Sequence, residues 1–226
     1  MACAQCFSQN EKAFDFYSAG VRAGYAFNYG EAIANYSEAI KLKPDYTAAY
    51  FNRGVMLLKN KENENAINDF KIVIGQDSLY VDAYYYIGEG LLNKMKANEA
   101  IILFQKALTI VPTHKKSMIG MGMACYYVRK YAEAIDWYSR SIALDKKDAQ
   151  LYYKRGLARY NSEDFEKSVL DFTTAIQLND KYTQAFEYRG LSYRFLNSIE
   201  NACSDWRIAA TLGSTSAEES FNTYCK

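Results

Sequence analysis

Glycine returns every 34 residues along this chain, at Gly20, Gly54, Gly88, Gly122, Gly156 and Gly190, without a slip. A fixed interval of that size marks one small supersecondary unit copied in tandem, each copy burying its apolar face on its neighbours. The constraint on the fold is severe. An array of this kind is stabilised repeat against repeat, needs no single central core, and presents a long surface more readily than a reaction centre.

Numbering each glycine as position 8 gives repeats at 13–46, 47–80, 81–114, 115–148, 149–182 and 183–216, after an N-terminal segment of residues 1–12. Other columns then align. Position 20 is small in every repeat, as Ala32, Ala66, Ala100, Ala134, Ser168 and Ala202, and position 27 is small again, as Ala39, Val73, Ala107, Ser141, Ala175 and Ala209. Position 24 is always aromatic, as Tyr36, Phe70, Phe104, Tyr138, Phe172 and Trp206. Position 4 holds Phe16, Tyr50, Tyr84, Met118, Tyr152 and Phe186, and both prolines, Pro44 and Pro112, stand at position 32.

The spacing inside one repeat predicts two amphipathic helices. Positions 4, 7, 8 and 11 share one helical face in the first half, and positions 20, 24 and 27 share one in the second. Glycine or alanine at the crossing lets the two backbones approach, and the position-24 ring fills the space beside it. Proline at 32 suits the link between repeats, because it lacks the N–H a continuing helix needs and disfavours the α region in the residue before it.

These columns resemble the tetratricopeptide repeat, whose pattern is an aromatic at 4, Gly at 8, Ala at 20, an aromatic at 24, Ala at 27 and Pro at 32. The match covers residues 13–216, and departs from the pattern at Ser168 and at Ser78, Lys146, Asp180 and Ser214, which stand where proline would. The resemblance implies an all-α fold, a right-handed α-solenoid of helix-turn-helix units. In such an array the first helices line a concave groove, with positions 2, 5, 9 and 12 facing it.

Beyond the last repeat, Gly213 reads as a helix C′ glycine. Ser216 and Glu219 have capping-box spacing, so a short capping helix is expected over 217–226. The run Ala209-Ala210-Thr211-Leu212-Gly213 is similar to the ending of Sel1-like units. Cys203, Trp206 and Cys225 resemble the closing segment of exported bacterial tetratricopeptide proteins, with Cys and Trp in the last long helix and Cys near the terminus. If the capping helix folds back antiparallel along that helix, Cys203 and Cys225 meet, and a disulfide would imply an oxidising compartment; otherwise both are thiols.

The chain holds five cysteines, an odd number. Cys125, at core position 11, reads as a buried free thiol. Cys3-Ala4-Gln5-Cys6 has C-x-x-C spacing but no second pair, so it is not read as a metal or redox site. No basic segment followed by a long apolar stretch is present, which on the chain as given reads as cytoplasmic. Residues 1–12 read as disordered or as a signal remnant, since Met1 to Gln9 resembles the tail of a bacterial export signal; that leaves a periplasmic or exported location open. No apolar run is long enough to span a membrane.

Lys plus Arg number 27 against 26 Asp plus Glu, a net charge of +1, so the broad basic field that nucleic-acid binding needs is missing. The inventory argues against an enzyme. The one histidine, His114, falls in an inter-repeat loop and reads as a solvated residue, and no phosphate-cradling glycine loop occurs. No metal or other cofactor is expected. Glu62, Glu64, Glu99, Glu133 and Glu163 fall near the turn into the second helix, where they suit a helix N-terminus.

Function is therefore sought on the groove. Position 5 holds Tyr17, Phe51, Tyr85, Ile119, Tyr153 and Glu187, position 12 adds Tyr126 and Tyr160, and Tyr86, Tyr127 and Tyr188 flank them at positions 6 and 13. Such a ladder suits an extended peptide or a partner helix, because tyrosine offers large area with two torsions to freeze and a hydroxyl to orient an amide. The other reading is that these rings pack first helix on first helix. Asn52, Asp82, Glu89, Lys116, Lys154 and Arg194 would set polarity and register.

Co-chaperones of the resembled family hold acidic chaperone tails with Lys at 5 and Asn at 9, Asn at 6 of the next repeat, then Lys at 2 and Arg at 6. Here Asn52 fits position 6, but its neighbours are Tyr17, Val21, Asp82 and Tyr86, so a carboxylate-clamp adaptor is rejected. The expected partner is a protein or peptide of unspecified identity. The alternatives are a self-associating subunit of a cell-envelope or other assembly and a periplasmic glycan-associated binder.

Overall fold

The computed structural model of the chain describes residues 2–225, with side chains described over 9–225. Among the described residues there are thirteen helices and no strand. They are α1 (Ala2–Tyr25), α2 (Tyr29–Leu42), α3 (Thr47–Lys59), α4 (Asn63–Gln76), α5 (Val81–Asn93), α6 (Ala97–Ile110), α7 (Lys115–Tyr127), α8 (Tyr131–Leu144), α9 (Ala149–Asn161), α10 (Phe165–Leu178), α11 (Thr183–Phe195), α12 (Ile199–Thr211) and α13 (Thr215–Tyr224). The fold is an all-α helical repeat solenoid, two helices per 34-residue repeat. Backbone packing divides it into two compact bodies, residues 1–120 and 121–226. Helix α1 takes in residues 2–12 as well as the first helix of the first repeat. The side chains of Cys3 and Cys6 lie outside the described residues.

The glycine column is explained by the ring column. A Cβ added at Gly88 would lie 2.5 Å from the Phe104 ring, and one at Gly120 would meet the same ring at 2.6 Å. The same holds in other repeats, at 2.8 Å from Phe70 for Gly54 and 2.6 Å from Trp206 for Gly190. Any side chain at position 8 must therefore displace a ring that has nowhere to go, since Phe70, Phe104, Phe172 and Trp206 are fully buried. Each such ring contributes about 1.5–3 kcal/mol of burial. Ser168, the departure at position 20, is fully buried too; its hydroxyl donates to Ser192 Oγ at 2.8 Å, and Ser192 donates to the Tyr188 carbonyl at 2.8 Å.

Every first helix ends in the same way. Phe27, Lys61, Met95, Arg129, Glu163 and Asn197, all at position 15, take left-handed φ values of 57 to 63°. The hydrogen bonds form a Schellman motif: Met95 N–H donates to the Leu92 carbonyl at 2.9 Å and Lys96 N–H to the Leu91 carbonyl at 2.9 Å, with the same pattern at Lys61 and Glu62. No glycine marks these turns, so composition does not reveal them. At the end of the array the motif recurs with glycine, Gly213 at φ 95°.

Helix α13 starts earlier than the sequence pattern suggests. Its N-cap is Ser214, whose Oγ accepts from Ala217 N–H at 3.2 Å, while Ser216 lies inside the helix and donates to the Glu187 carboxylate. The capping-box reading of Ser216 with Glu219 is corrected accordingly: Ser214 is two residues nearer the turn and reaches the free N–H first. A disulfide joins Cys203 on α12 to Cys225 after α13, with their Cα atoms 5.7 Å apart. Cys125 is a buried free thiol, held up to about 11 mainly by burial.

Three repeats carry a further bond between their two helices. Arg53, Arg155 and Arg189 at position 7 each close on an aspartate at position 23, Asp69, Asp171 and Asp205, with Nη2 to Oδ1 at 2.7 Å in all three. A third contact goes back to position 25 of the preceding repeat, where the guanidinium donates to Ser37, Ser139 or Thr173 at 2.9 to 3.0 Å. The aspartates are almost fully buried. In the repeats at 81–114 and 115–148 the same two positions hold Ile87 with Leu103 and Met121 with Trp137, apolar at both ends, and in the first repeat they hold Ala19 with Asn35.

Candidate peptide-binding surface

The position-5 rings are half-buried, and each has a partner at position 34 of its own repeat. Tyr17 lies 5.0 Å from Tyr46, Phe51 4.9 Å from Tyr80, Tyr85 6.1 Å from His114, and Tyr153 4.8 Å from Tyr182. All four also approach the position-24 ring beside them, at 5.7 to 6.0 Å. One face of the ladder is thus committed to packing. The position-34 aromatics are the partners that sequence reasoning passed over, because that position falls in the inter-repeat link. The signal was present as a fourfold column at the same period.

In the N-terminal body, Asn52 donates to the Tyr17 hydroxyl at 2.9 Å, and Phe51 and Tyr85 flank Tyr86 with centroids at 5.6 and 5.0 Å. Lys116 lies over the Tyr85 and Tyr86 rings, at 5.8 and 5.5 Å, and its ammonium is 3.0 Å from Asp82. A recess here of about 260 Å³ is lined by Val55, Leu58, Lys59, Tyr85, Tyr86, Glu89, Asn93 and Lys116. Burial pushes the Glu89 carboxyl up, against the opposing pull of Lys59 and Lys116.

His114 is not the solvated loop residue its position suggested. Its Nδ1 is 2.7 Å from Ser117 Oγ and its Nε2 3.6 Å from Asp82, and burial lowers its pKa. Serine, histidine and aspartate thus come together, but Ser117 is fully buried on the first turn of α7 and Asp82 is shared with Lys116. Attack on a substrate needs an accessible hydroxyl, which this serine does not offer.

In the C-terminal body the tyrosines form two ring groups, one around Tyr188 and one around Tyr126. Tyr188 lies 6.1 Å from Tyr153 and 5.6 Å from Tyr160, and Tyr160 borders Phe165 and Phe195, which stack at 4.6 Å. Tyr126 and Tyr127 meet edge to face at 6.1 Å, with Tyr127 exposed. Asn161 donates to the Tyr126 hydroxyl at 2.9 Å. A smaller recess of about 110 Å³ is lined by Met123, Tyr126, Tyr127, Tyr138, Lys154 and Leu157. Lys154 is half-buried there, and burial holds its ammonium below the ordinary lysine range, opposed by the field of Asp148.

The residues proposed from sequence thus fall into two groups. Tyr17, Phe51, Asn52, Tyr85, Tyr86 and Lys116 come together in one body, and Tyr126, Tyr127, Tyr153, Lys154, Tyr160 and Tyr188 in the other. Among the described residues no group of His, Cys, Asp or Glu is arranged to hold a metal ion. No helix among them is long and apolar enough to cross a membrane.

Comparison with known proteins places this geometry. A family model described as TPR repeat matches residues 28–61 and 122–162, and one described as tetratricopeptide repeat matches 149–182. Small glutamine-rich tetratricopeptide repeat-containing protein 2 of Mycosarcoma maydis is 29% identical over 104 residues, which is 46% of this chain and 30% of that protein. The matches span between 16% and 50% of the length of the curated relatives. Among solved structures, PilF of Pseudomonas aeruginosa superposes with a TM-score of 0.78 at 15% identity, covering 94% of this chain and 97% of that one. YrrB, described as a TPR protein with an unusual peptide-binding site, superposes with a TM-score of 0.67 at 20% identity, covering 79% and 92%. At these identities the structural likeness is one of fold.

Proposed function

Because this chain belongs to the tetratricopeptide-repeat family, we propose that it is a non-catalytic scaffold that binds an extended protein segment or a partner helix along its tyrosine-rich first-helix face. Repeats of this family generally serve as protein-interaction scaffolds. The observation that carries the reading is the half-packed aromatic column: the position-5 rings are fixed on one side by position-34 and position-24 rings and remain partly exposed on the other. A ring already immobilised loses little further entropy on binding, so its contact area is used efficiently. Polar groups at Asn52, Glu89 and Lys154 interrupt the column and supply register. The expected strength is micromolar, about 8 kcal/mol.

The test is affinity capture from the native organism with mass spectrometry, comparing wild type with Tyr127→Ser, chosen because that ring is exposed and lies outside the position-5 packing. A thermal melt confirms that the variant is folded. A partner retained by wild type and lost by the folded variant supports the reading; equal recovery of every partner sinks it.

One observation favours self-association as a second reading. Phe14, Phe16, Tyr25 and Phe27 of the first repeat are 59%, 37%, 83% and 78% exposed. Sedimentation velocity across a concentration series, on wild type and Phe14→Ser/Phe16→Ser, separates assembly from a monomeric scaffold.

A further inference from the structure

In the C-terminal body a half-buried lysine lacks a direct counter-ion among the described residues. Lys154 is half-buried on α9, yet among the described residues it has neither an ion pair nor a hydrogen bond. The acid whose field reaches it, Asp148, caps α9 by accepting from Gln150 N–H at 3.1 Å. The recess around Lys154 contains no carboxylate; its walls are Met123, Leu157 and three tyrosines. One of those, Tyr126, already accepts from Asn161 through its oxygen, so its own O–H is available to donate outward. A half-buried ammonium beside a phenolic donor, with apolar walls and no acceptor of matching charge, is complementary to an anionic oxygen group.

We infer that the Lys154 recess receives an acidic side chain, Asp or Glu, of a bound peptide, its carboxylate held by the Lys154 ammonium and the Tyr126 hydroxyl. This rests on the scaffold reading above and narrows its ligand to an acidic segment. A side chain is assigned in preference to a chain terminus because α11 continues the aromatic face beyond the recess, through Tyr188 packed on Tyr153 and Tyr160, so that a segment seated at Lys154 has further surface to follow. The first-helix lysine of the other body does not compete. Lys116 is already paired with Asp82 at 3.0 Å and lies over the faces of two rings.

The test uses the full chain and an array of synthetic 12-residue peptides, each made with Glu and again with Gln, and each as the C-terminal acid and amide. The proteins are wild type, Lys154→Met and Lys116→Met, with folding checked by thermal melt. Wild type is expected to prefer the Glu member of binding pairs by about tenfold, a ratio worth about 1.4 kcal/mol. That preference should vanish in Lys154→Met, persist in Lys116→Met, and be indifferent to amidation. Equal binding of Glu and Gln members overturns the inference while leaving the scaffold reading intact. So does a preference that survives Lys154→Met, or one that follows the free C-terminus. Binding of no peptide in either series overturns both.

Discussion

Lys154 and Arg155 are neighbours on α9, and the chain treats them in opposite ways. Arg155 grips Asp171 through Nε at 3.0 Å and Nη2 at 2.7 Å and reaches Ser139 at 2.9 Å, so its charge is fully answered. Lys154, one residue earlier and on another face of the helix, is half-buried with no ion pair among the described residues. The difference separates two jobs within one repeat. Where a charge is closed by the chain itself it ties helix to helix; where it is left open it costs stability and is available to something else.

The largest expected effect tests the closed side. Arg155→Ala leaves Asp171, which is 2% exposed, with Arg159 as its remaining cation, and should cost about 3 kcal/mol in a denaturant melt. A loss below about 1 kcal/mol would mean that Arg159, 2.9 Å from the same carboxylate, carries the pair alone. Next comes the aromatic face. Tyr153→Ala removes a ring packed on Phe172, Tyr182 and Tyr188 and should cost about 3 kcal/mol. Tyr127→Ala, at an exposed ring, should stay within about 0.5 kcal/mol. Equal costs would contradict the division between packed and open rings.

The sharpest form of the comparison is a change of sign. Lys154→Met should raise stability by about 0.5–2 kcal/mol, because it removes a half-buried charge that lacks a counter-ion. Burial lowers the Lys154 pKa in the folded state, so the folded chain binds its proton less tightly than the unfolded chain does. Its contribution to stability is therefore favourable above the ordinary lysine value and is lost as pH falls through the lowered one. The advantage of the methionine should be greatest near neutral pH and fade towards about pH 10.4. A melt series from pH 7 to 10 that shows no such convergence would contradict it.

Lys116→Met should do the opposite, losing up to about 1 kcal/mol, since that lysine is largely exposed but well paired. The smallest net effect is expected from copying the apolar solution of the repeat at 81–114 into its neighbour. Arg53→Ile/Asp69→Leu should fall within about 1 kcal/mol of wild type, whereas Arg53→Ile alone should lose several. If the double variant is as unstable as the single one, the two kinds of repeat are not interchangeable.

Much of the molecule is legible in a 34-residue period. Gly88 and Phe104 stand 16 residues apart because one must make room for the other, and that requirement recurs in every repeat whatever lies around it. The same 16-residue interval links Arg53 to Asp69 and Ile87 to Leu103, a pattern visible in the sequence but easily taken for solvated charge on one repeat and ordinary core on the next. The left-handed turns at Lys61, Met95 and Arg129 leave no compositional trace, because the Schellman bonds hold an ordinary side chain where glycine would be expected.

What the sequence determined by itself was the repeat, its two helices and the packed crossing, since these depend on side-chain size and spacing within one short stretch of chain. The tertiary structure alone decided which polar groups are satisfied. Lys116 and Lys154 are equal candidates as letters. Only the fold brings Asp82, 34 residues away, against the first and leaves the second in a recess without an acid. Electrostatic satisfaction depends on distance and burial, and neither is a property of a residue's place in the chain.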